Sequence, residues 1–307
     1  MPEFSVIMPA YRAPDDIGLA LRSIQRQTVA DLEVVVVDDG SGDRTPDVVR
    51  ELAADDPRIT LIEQENAGTA AARNRAIAAS SGRVLALLDN DDVWLPSHLE
   101  DIRAALAETP GAGLAFSDAW TYKVESGLVY RHTVMHERRV PAGVERPAGL
   151  LAALGRLNFV VASGAAFLRE AYDAAGPFDP AISGSDDWDM WLRIAAAGYG
   201  GARAGSTPGI VLRDSASSQS KDQAMILRTS IDVLDGALSR PEPEPGALAT
   251  ARRTREAFAA QLAAMEGRTG PATWPHQVRH FLGASKQRIG RRYYWRPAPP
   301  EVTAALS

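Results

Sequence analysis

The chain has 307 residues, 45% of them hydrophobic, with a formal charge of −6, which is enough apolar material for one large domain with an appendage. It has no cysteine, which excludes disulfides, thiolate metal sites and a cysteine nucleophile together; any metal must sit on oxygen or imidazole. The acidic balance argues against a nucleic-acid partner, and no run approaches the roughly 18 apolar residues of a membrane span. The opening MPEFSVIMPAY reads as a strand rather than a signal peptide, so a cytoplasmic location is expected.

In chain order, the first hundred residues alternate β-rich runs with helix-period segments. The runs are FSVIMPAY (4–11), DLEVVVVDD (31–39), RITLIEQ (58–64) and RVLALLDN (83–90). Helices are expected over 15–27, where Ile17, Leu21 and Ile24 share a face, over 43–54, where Thr45-Pro46 supplies a cap and first-turn proline, and over 68–80. The runs VVVV and VLALL are continuously apolar, as strands covered on both faces should be. The pattern predicts an α/β fold built on an open, mostly parallel sheet flanked by helices. A helix is expected over 96–108, a strand over 113–122 and an amphipathic helix from Ser185. The stretch 123–149 has no readable period, 239–247 reads as a linker, and a strong helix former follows it.

Ligands of such sheets bind beyond the carboxyl ends of the strands. The second and fourth runs end there in Asp38-Asp39-Gly40 and Asp89-Asn90-Asp91-Asp92. Three carboxylates within four positions repel one another unless a cation sits among them, and a divalent ion with oxygen ligands fits; a simple capping turn before the next helix is the other reading. The calcium-loop pattern is missing, because its glycine position holds Trp94. ENAGTAAARNRAI (65–77) opens a helix with a glycine and small residues, with Arg73 and Arg75 close behind. That suits an anionic ligand, although many surface helices begin this way. In SGSDDWDMWLRIAAAGY (183–199), Trp188, Trp191, Leu192 and Ala195 form an apolar stripe and Asp186 and Asp187 fall on the first turn, where the helix dipole alone is reason enough for acids.

Taken together, VIMPAYRAPDD, VVVVDDGSGDRT, NAGTAAARNRAI, LLDNDDVWLP, GPFDP and DDWDMWLR stand in an order and spacing over residues 4–215 that resembles family 2 glycosyltransferases of the GT-A fold. The resemblance implies a metal-dependent, inverting, non-processive transfer from a nucleoside-diphosphate sugar to an acceptor hydroxyl, a UDP-sugar being favoured over a dTDP- or GDP-sugar. By position, Asp39 would accept the ring N–H of the base, Pro9, Ala10 and Tyr11 would line it, and Arg73 would reach the base or diphosphate, with Gly68 allowing close approach. Asp91 would ligate Mn2+ or Mg2+, Asp89 would contact the ribose or the metal's water shell, and Asp92 would share either task. Asp187 would be the single general base, kept ionised by the helix dipole. The resemblance implies a GT-A domain over 1–235, with a nucleotide-binding half over 1–110 and an acceptor-binding half over 111–235, followed by a helical, basic extension over 236–307.

The chain departs from the family where an Arg-x-His stretch is usual: LRDSASSQSKD (212–222) keeps Arg213 for phosphate contact and lacks the histidine, which bears on metal affinity. Processive members carry a Gln-x-x-Arg-Trp motif that is missing here. Between Gly267 and Pro300 there are seven basic residues and no acid, with aromatic residues among them. This tail would meet an anionic membrane on the inner face or a second subunit, or pack on the core. His276 and His280 stand at helical ligand spacing inside it, with no carboxylate partner in reach of the pattern. Two rival readings are a non-catalytic sugar-nucleotide binding module and a nucleotidyltransferase of similar architecture.

Overall fold

The computed structural model describes residues 1–214, 223–242, 244–267 and 295–307. Its first part follows the expected alternation: β1 (Phe4–Ala10), α1 (Ile17–Gln25), β2 (Leu32–Asp39), α2 (Thr45–Asp55), β3 (Ile59–Gln64), α3 (Thr69–Ala78) and β4 (Val84–Leu87). All of β1 and β4 is buried, as is nearly all of β2, because helices cover both faces. There follow β5 (Val93–Trp94), α4 (His98–Glu108), β6 (Ala112–Ser117), β7 (Ala119–Lys123), β8 (Leu128–Tyr130), α5 (Val134–Arg138), α6 (Pro147–Arg156), β9 (Ala165–Leu168), α7 (Arg169–Ala175) and α8 (Asp186–Ala196). The remaining described elements are β10 (Gly200–Ala204), β11 (Ile210–Asp214), α9 (Gln223–Leu238), α10 (Ala249–Met265), β12 (Trp295–Pro297) and a last helix, α11 (Pro300–Ala305).

Seven strands form the main sheet in the order β10-β6-β9-β4-β1-β2-β3. Neighbours are parallel except at β9, which runs antiparallel between β4 and β6. The carboxyl ends of β1, β2 and β4 therefore share one edge, and both acidic clusters lie along it. A second sheet, β12-β8-β7-β11-β5, was not read from the sequence. The run expected as one strand over 113–122 is divided between the two sheets at Asp118. Its buried carboxylate accepts from Ala119 N (2.8 Å), Met135 N (2.9 Å) and Thr133 Oγ1 (2.6 Å), so the chain turns there without leaving backbone donors unpaired.

The boundary expected at 235/236 runs through α9. Beyond it, α10 joins the buried cluster of α6 and α8: Ala251, Phe258 and Leu262 are in that core. At Gly155 an added Cβ would stand 3.0 Å from Ala251 N, so α6 and α10 approach at a point with no room for a side chain. Of the tail, β12 pairs with β8 and Val302 of α11 is fully buried. Most of the basic stretch, with His276 and His280, lies outside the described residues. Among the described residues no helix is long and apolar enough to cross a membrane.

Candidate active site

The first part of the site is the end of β1 and β2. Pro9 and Ala10 pair with Val37 and Asp38 in the parallel ladder, and Tyr11 beyond them is 41% exposed. Asp38 is spent on the turn, accepting from Ser41 Oγ and from Ser41 N (3.2 Å). Asp39 faces the loop before α3: its Oδ1 accepts from Gln64 Nε2 and Ala67 N, and its Oδ2 from Gly68 N, each at 2.8 Å. Two glycines make this approach feasible. Gly40 has φ +72° and an added Cβ would meet Asn66 N at 2.8 Å; Gly68 has φ +88° in open space, so its need is conformational.

The DNDD turn follows β4. Ser163, just before β9, is its clamp: its Oγ accepts from Asp89 N (3.2 Å) and donates to Asp92 Oδ2 (2.5 Å), while its carbonyl accepts from Trp94 Nε1 (2.6 Å). Asp92 Oδ1 accepts from Arg213 N (3.0 Å). Both oxygens of Asp92 are thus committed to closing the turn, and the side chain is buried, where it was expected to share the metal or ribose. Burial, then Asp91 and Asp89, hold its carboxyl well above the usual range. Asp91 differs. Its carboxylate has no hydrogen-bond partner from another residue among those described, and burial followed by repulsion from Asp89 pushes it up to about 6, against the pull of Arg213. Arg213 Nη1 donates to Asp16 Oδ1 (2.6 Å) and to the Asp91 carbonyl (3.3 Å), so the arginine expected to contact phosphate is tied to the rim of this turn.

Among the described residues no three His, Asp or Glu side chains converge as a protein-only metal cage. The donor set nevertheless fits Mg2+ or Mn2+. Such ions take one or two carboxylates and complete their octahedron with water and substrate phosphates, and Asp91, with the Asp89 oxygen that has no partner among the described residues, offers that much anionic oxygen in a poorly solvated spot.

Arg73 departs most from expectation. Instead of reaching toward a base or diphosphate, it is 3% exposed, with Nη2 on Asp89 Oδ1 (2.7 Å) and Nη1 on Asp186 Oδ2 (2.6 Å). Two carboxylates from distant parts of the chain meet here, Asp186 buried and Asp89 about a third exposed, and the buried guanidinium between them offsets the cost of their desolvation. The bridge ties the DNDD turn to the first turn of α8. Asp186 is consumed by it, which leaves Asp187 as the half-buried, accessible acid. Its Oδ1 accepts from Trp188 N (2.6 Å) and its Oδ2 from Asn158 Nδ2 (3.2 Å). The helix dipole was expected to keep this acid readily ionised. Burial, then Asp186, instead raises it to about 6, partly countered by Arg73. Ser163, Asn158, Asp16 and Arg138, whose Nη1 donates to the Asn158 carbonyl at 2.7 Å, are site residues that sequence reasoning missed.

Residues 5–176 match the family described as Glycosyl transferase family 2. WfgD of Escherichia coli, a UDP-Glc:alpha-D-GlcNAc-diphosphoundecaprenol beta-1,3-glucosyltransferase, is 44% identical over 97 residues, covering 31% of this chain and 38% of that relative. GlyA, a glycosyltransferase of Streptococcus pneumoniae serotype 4, is 34% identical over 130 residues, covering 42% of this chain and 18% of the relative. The matches thus span less than two-fifths of either relative. Among solved structures, the mannosyltransferase PcManGT from Pyrobaculum calidifontis in complex with GDP-Man and Mn2+ superposes with a TM-score of 0.63 at 23% identity, over 99% of this chain and 85% of that one. S. aureus TarS 1-349 in complex with UDP-GlcNAc gives 0.64 at 17% identity, over 94% and 82%. At such identities the likeness is one of fold.

Proposed function

From the membership of this chain in glycosyl transferase family 2 and its GT-A fold, we propose that it transfers a sugar from a nucleoside diphosphate to an acceptor hydroxyl by a single inverting displacement, one residue per encounter. The observation that carries this reading is the buried Arg73 bridge from Asp89 to Asp186, which sets an accessible carboxylate, Asp187, beside an acidic turn suited to a diphosphate and its cation.

In this reading the donor base lies against Pro9, Ala10 and Tyr11, with its ring N–H on the remaining lone pair of Asp39 Oδ2. Asp91 and Asp89 would hold Mn2+ or Mg2+, which when bound would supply Lewis-acid stabilisation of charge on the departing nucleoside diphosphate. Asp187 receives the proton of the acceptor hydroxyl as that oxygen bonds to the anomeric carbon and the bond to the diphosphate breaks. One base suffices, unlike glycoside hydrolysis, where two carboxylates flank the bond. A ring N–H acceptor does not choose among uracil, thymine and guanine. The sugar nucleotides named for WfgD and TarS, both uridine diphosphates, favour a UDP-sugar. A lipid-diphosphate acceptor of the kind in the name of WfgD would place the work in cell-envelope glycan synthesis at the inner membrane face.

The test is calorimetric titration with UDP, dTDP and GDP, each with Mn2+ and with chelator, on the wild type, Asp91→Ala and Asp187→Asn. Binding of one nucleotide that needs metal, is lost in Asp91→Ala and persists in Asp187→Asn is the expected result. Transfer assays on the same proteins complete it: transfer unchanged in Asp187→Asn would overturn the base assignment, nucleotide binding without turnover in the wild type, with Asp187→Asn altering stability alone, would favour a binding module, and pyrophosphate release from a nucleoside triphosphate would favour a nucleotidyltransferase.

A further inference from the structure

We infer that Asn158 is a positioning residue for Asp187: its side-chain amide holds Oδ2 and so fixes which oxygen lone pairs face the acceptor hydroxyl. The inference rests on the proposed base role of Asp187.

The geometry is that of a two-point clamp. Trp188 N reaches Oδ1 at 2.6 Å and Asn158 Nδ2 reaches Oδ2 at 3.2 Å. The first is part of α8 and moves with Asp187. The second comes from the segment after α6 and is the contact that relates the carboxylate to the rest of the site. Asn158 is itself anchored, because its carbonyl accepts from Arg138 Nη1 at 2.7 Å. That carbonyl thereby links α5 to the loop carrying the amide. The Asn158 Oδ1 atom is buried and has no hydrogen-bond partner among the described residues. A buried amide oxygen left unpaired is costly; an orientation that accepts this cost to aim Nδ2 at the carboxylate is set by the carboxylate.

The charged groups acting on Asp187 are Asp186 on its own helix, Arg73 of α3 and Arg138 of α5. Among these, Asp186 and Arg73 are locked in their own ion pair. The amide is thus a contact that can be removed without unpairing a charge. A hydrogen bond donated to an ionised group lowers its proton affinity, and its loss raises it by about one pH unit at the weak end of such bonds. In the absence of substrate, this is read by carbon-detected NMR of the side-chain carboxylate, with Asp187→Asn identifying the resonance.

In Asn158→Leu, which keeps the volume and removes the donor, the Asp187 titration should move up by about one unit. Asn158→Asp should move it further, since a second carboxylate adds repulsion. Nucleotide affinity should stay within about twofold in both, while turnover of Asn158→Leu falls about twofold at pH 7, approaches a tenfold loss toward pH 5, and recovers on raising the pH, as a base moved up by one unit from about 6 must. A titration displaced by less than about 0.2 units in both variants, or a loss of turnover that alkaline pH does not restore, would overturn the inference. If the titration moves while Asp187→Asn transfers normally, the hold on Asp187 stands and the base assignment falls, so the two failures are separable.

Discussion

Asp91 and Asp92 are adjacent, both acidic and both shifted upward by burial, yet their neighbours divide them into different tasks. Asp92→Ala should destabilise the fold by about 1–3 kcal/mol, because it leaves Arg213 N and Ser163 Oγ without their acceptor. Asp91→Ala should leave the melting temperature unchanged or higher while removing metal-dependent nucleotide binding; parallel melts and calorimetry check the contrast. For Asp187 the sign follows from a folded value near 6 against about 3.9 in the unfolded chain. A raised folded value favours folding below the unfolded one, and that contribution is lost as pH rises through about 6. Substitution by Asn should therefore stabilise the protein at pH 8 by about 1–3 kcal/mol and change little at pH 4, as urea titrations at the two pH values would report. In the wild type kcat/KM should climb tenfold per unit toward about pH 6 and level off above it, and Asp187→Asn should lower kcat by roughly 10²-fold at unchanged donor affinity.

The elements carrying these residues were unequally legible. Strand ends rich in aspartate announced themselves, because burying several adjacent carboxylates needs a reason. Arg73 stands out in the sequence as a cation for an anionic ligand, yet nothing in its neighbourhood there reveals that Asp186, more than a hundred positions later, arrives beside it. Asn158 and Ser163 sit as single polar residues in the apolar run LNFVVASGAAF, and a buried polar residue in such a run is the signal that was available. β8 and α5 were unreadable because three and five residues are too few to show a period, and the break at Asp118 was hidden by apolar residues on both sides. The link of α3, β4 and α8 through Arg73 also makes a prediction. Arg73→Met should cost about 3–5 kcal/mol, as removal of one partner from a buried pair does, and Arg73→Lys should not rescue it, since one ammonium cannot serve two carboxylates in a fork. Chemical denaturation of both variants measures this.

Across the whole molecule, the second sheet supports the DNDD turn from beneath. β5 and β11 lie at one end of it, and Val93, Leu95, Val129 and Val211 share a small core with Val302 of α11. Arg26 of the main domain donates to the Ala304 carbonyl at 3.2 Å, and Arg296 lies 4.9 Å from the Trp120 ring. A tail that served only as a membrane device could be removed without harm to the soluble reaction. Removing 295–307 should instead cost about 2 kcal/mol or more, the worth of burying Val302 and its neighbours, and should weaken nucleotide binding, as melts and calorimetry of the truncated chain would show.

The guanidinium of Arg73, divided between Asp89 and Asp186, also joins two equilibria into one thermodynamic cycle. A diphosphate complex that draws Asp89 away from Arg73 leaves that cation more fully to Asp186, and so alters the field in which Asp187 gains or loses its proton. Linkage then works in reverse by the same factor: the protonation state of Asp187 sets part of the affinity of a ligand at the other end of the bridge. Donor affinity measured from pH 5 to 8 should consequently carry an inflection belonging to a carboxylate that the donor does not touch, and Asp187→Asn should erase it.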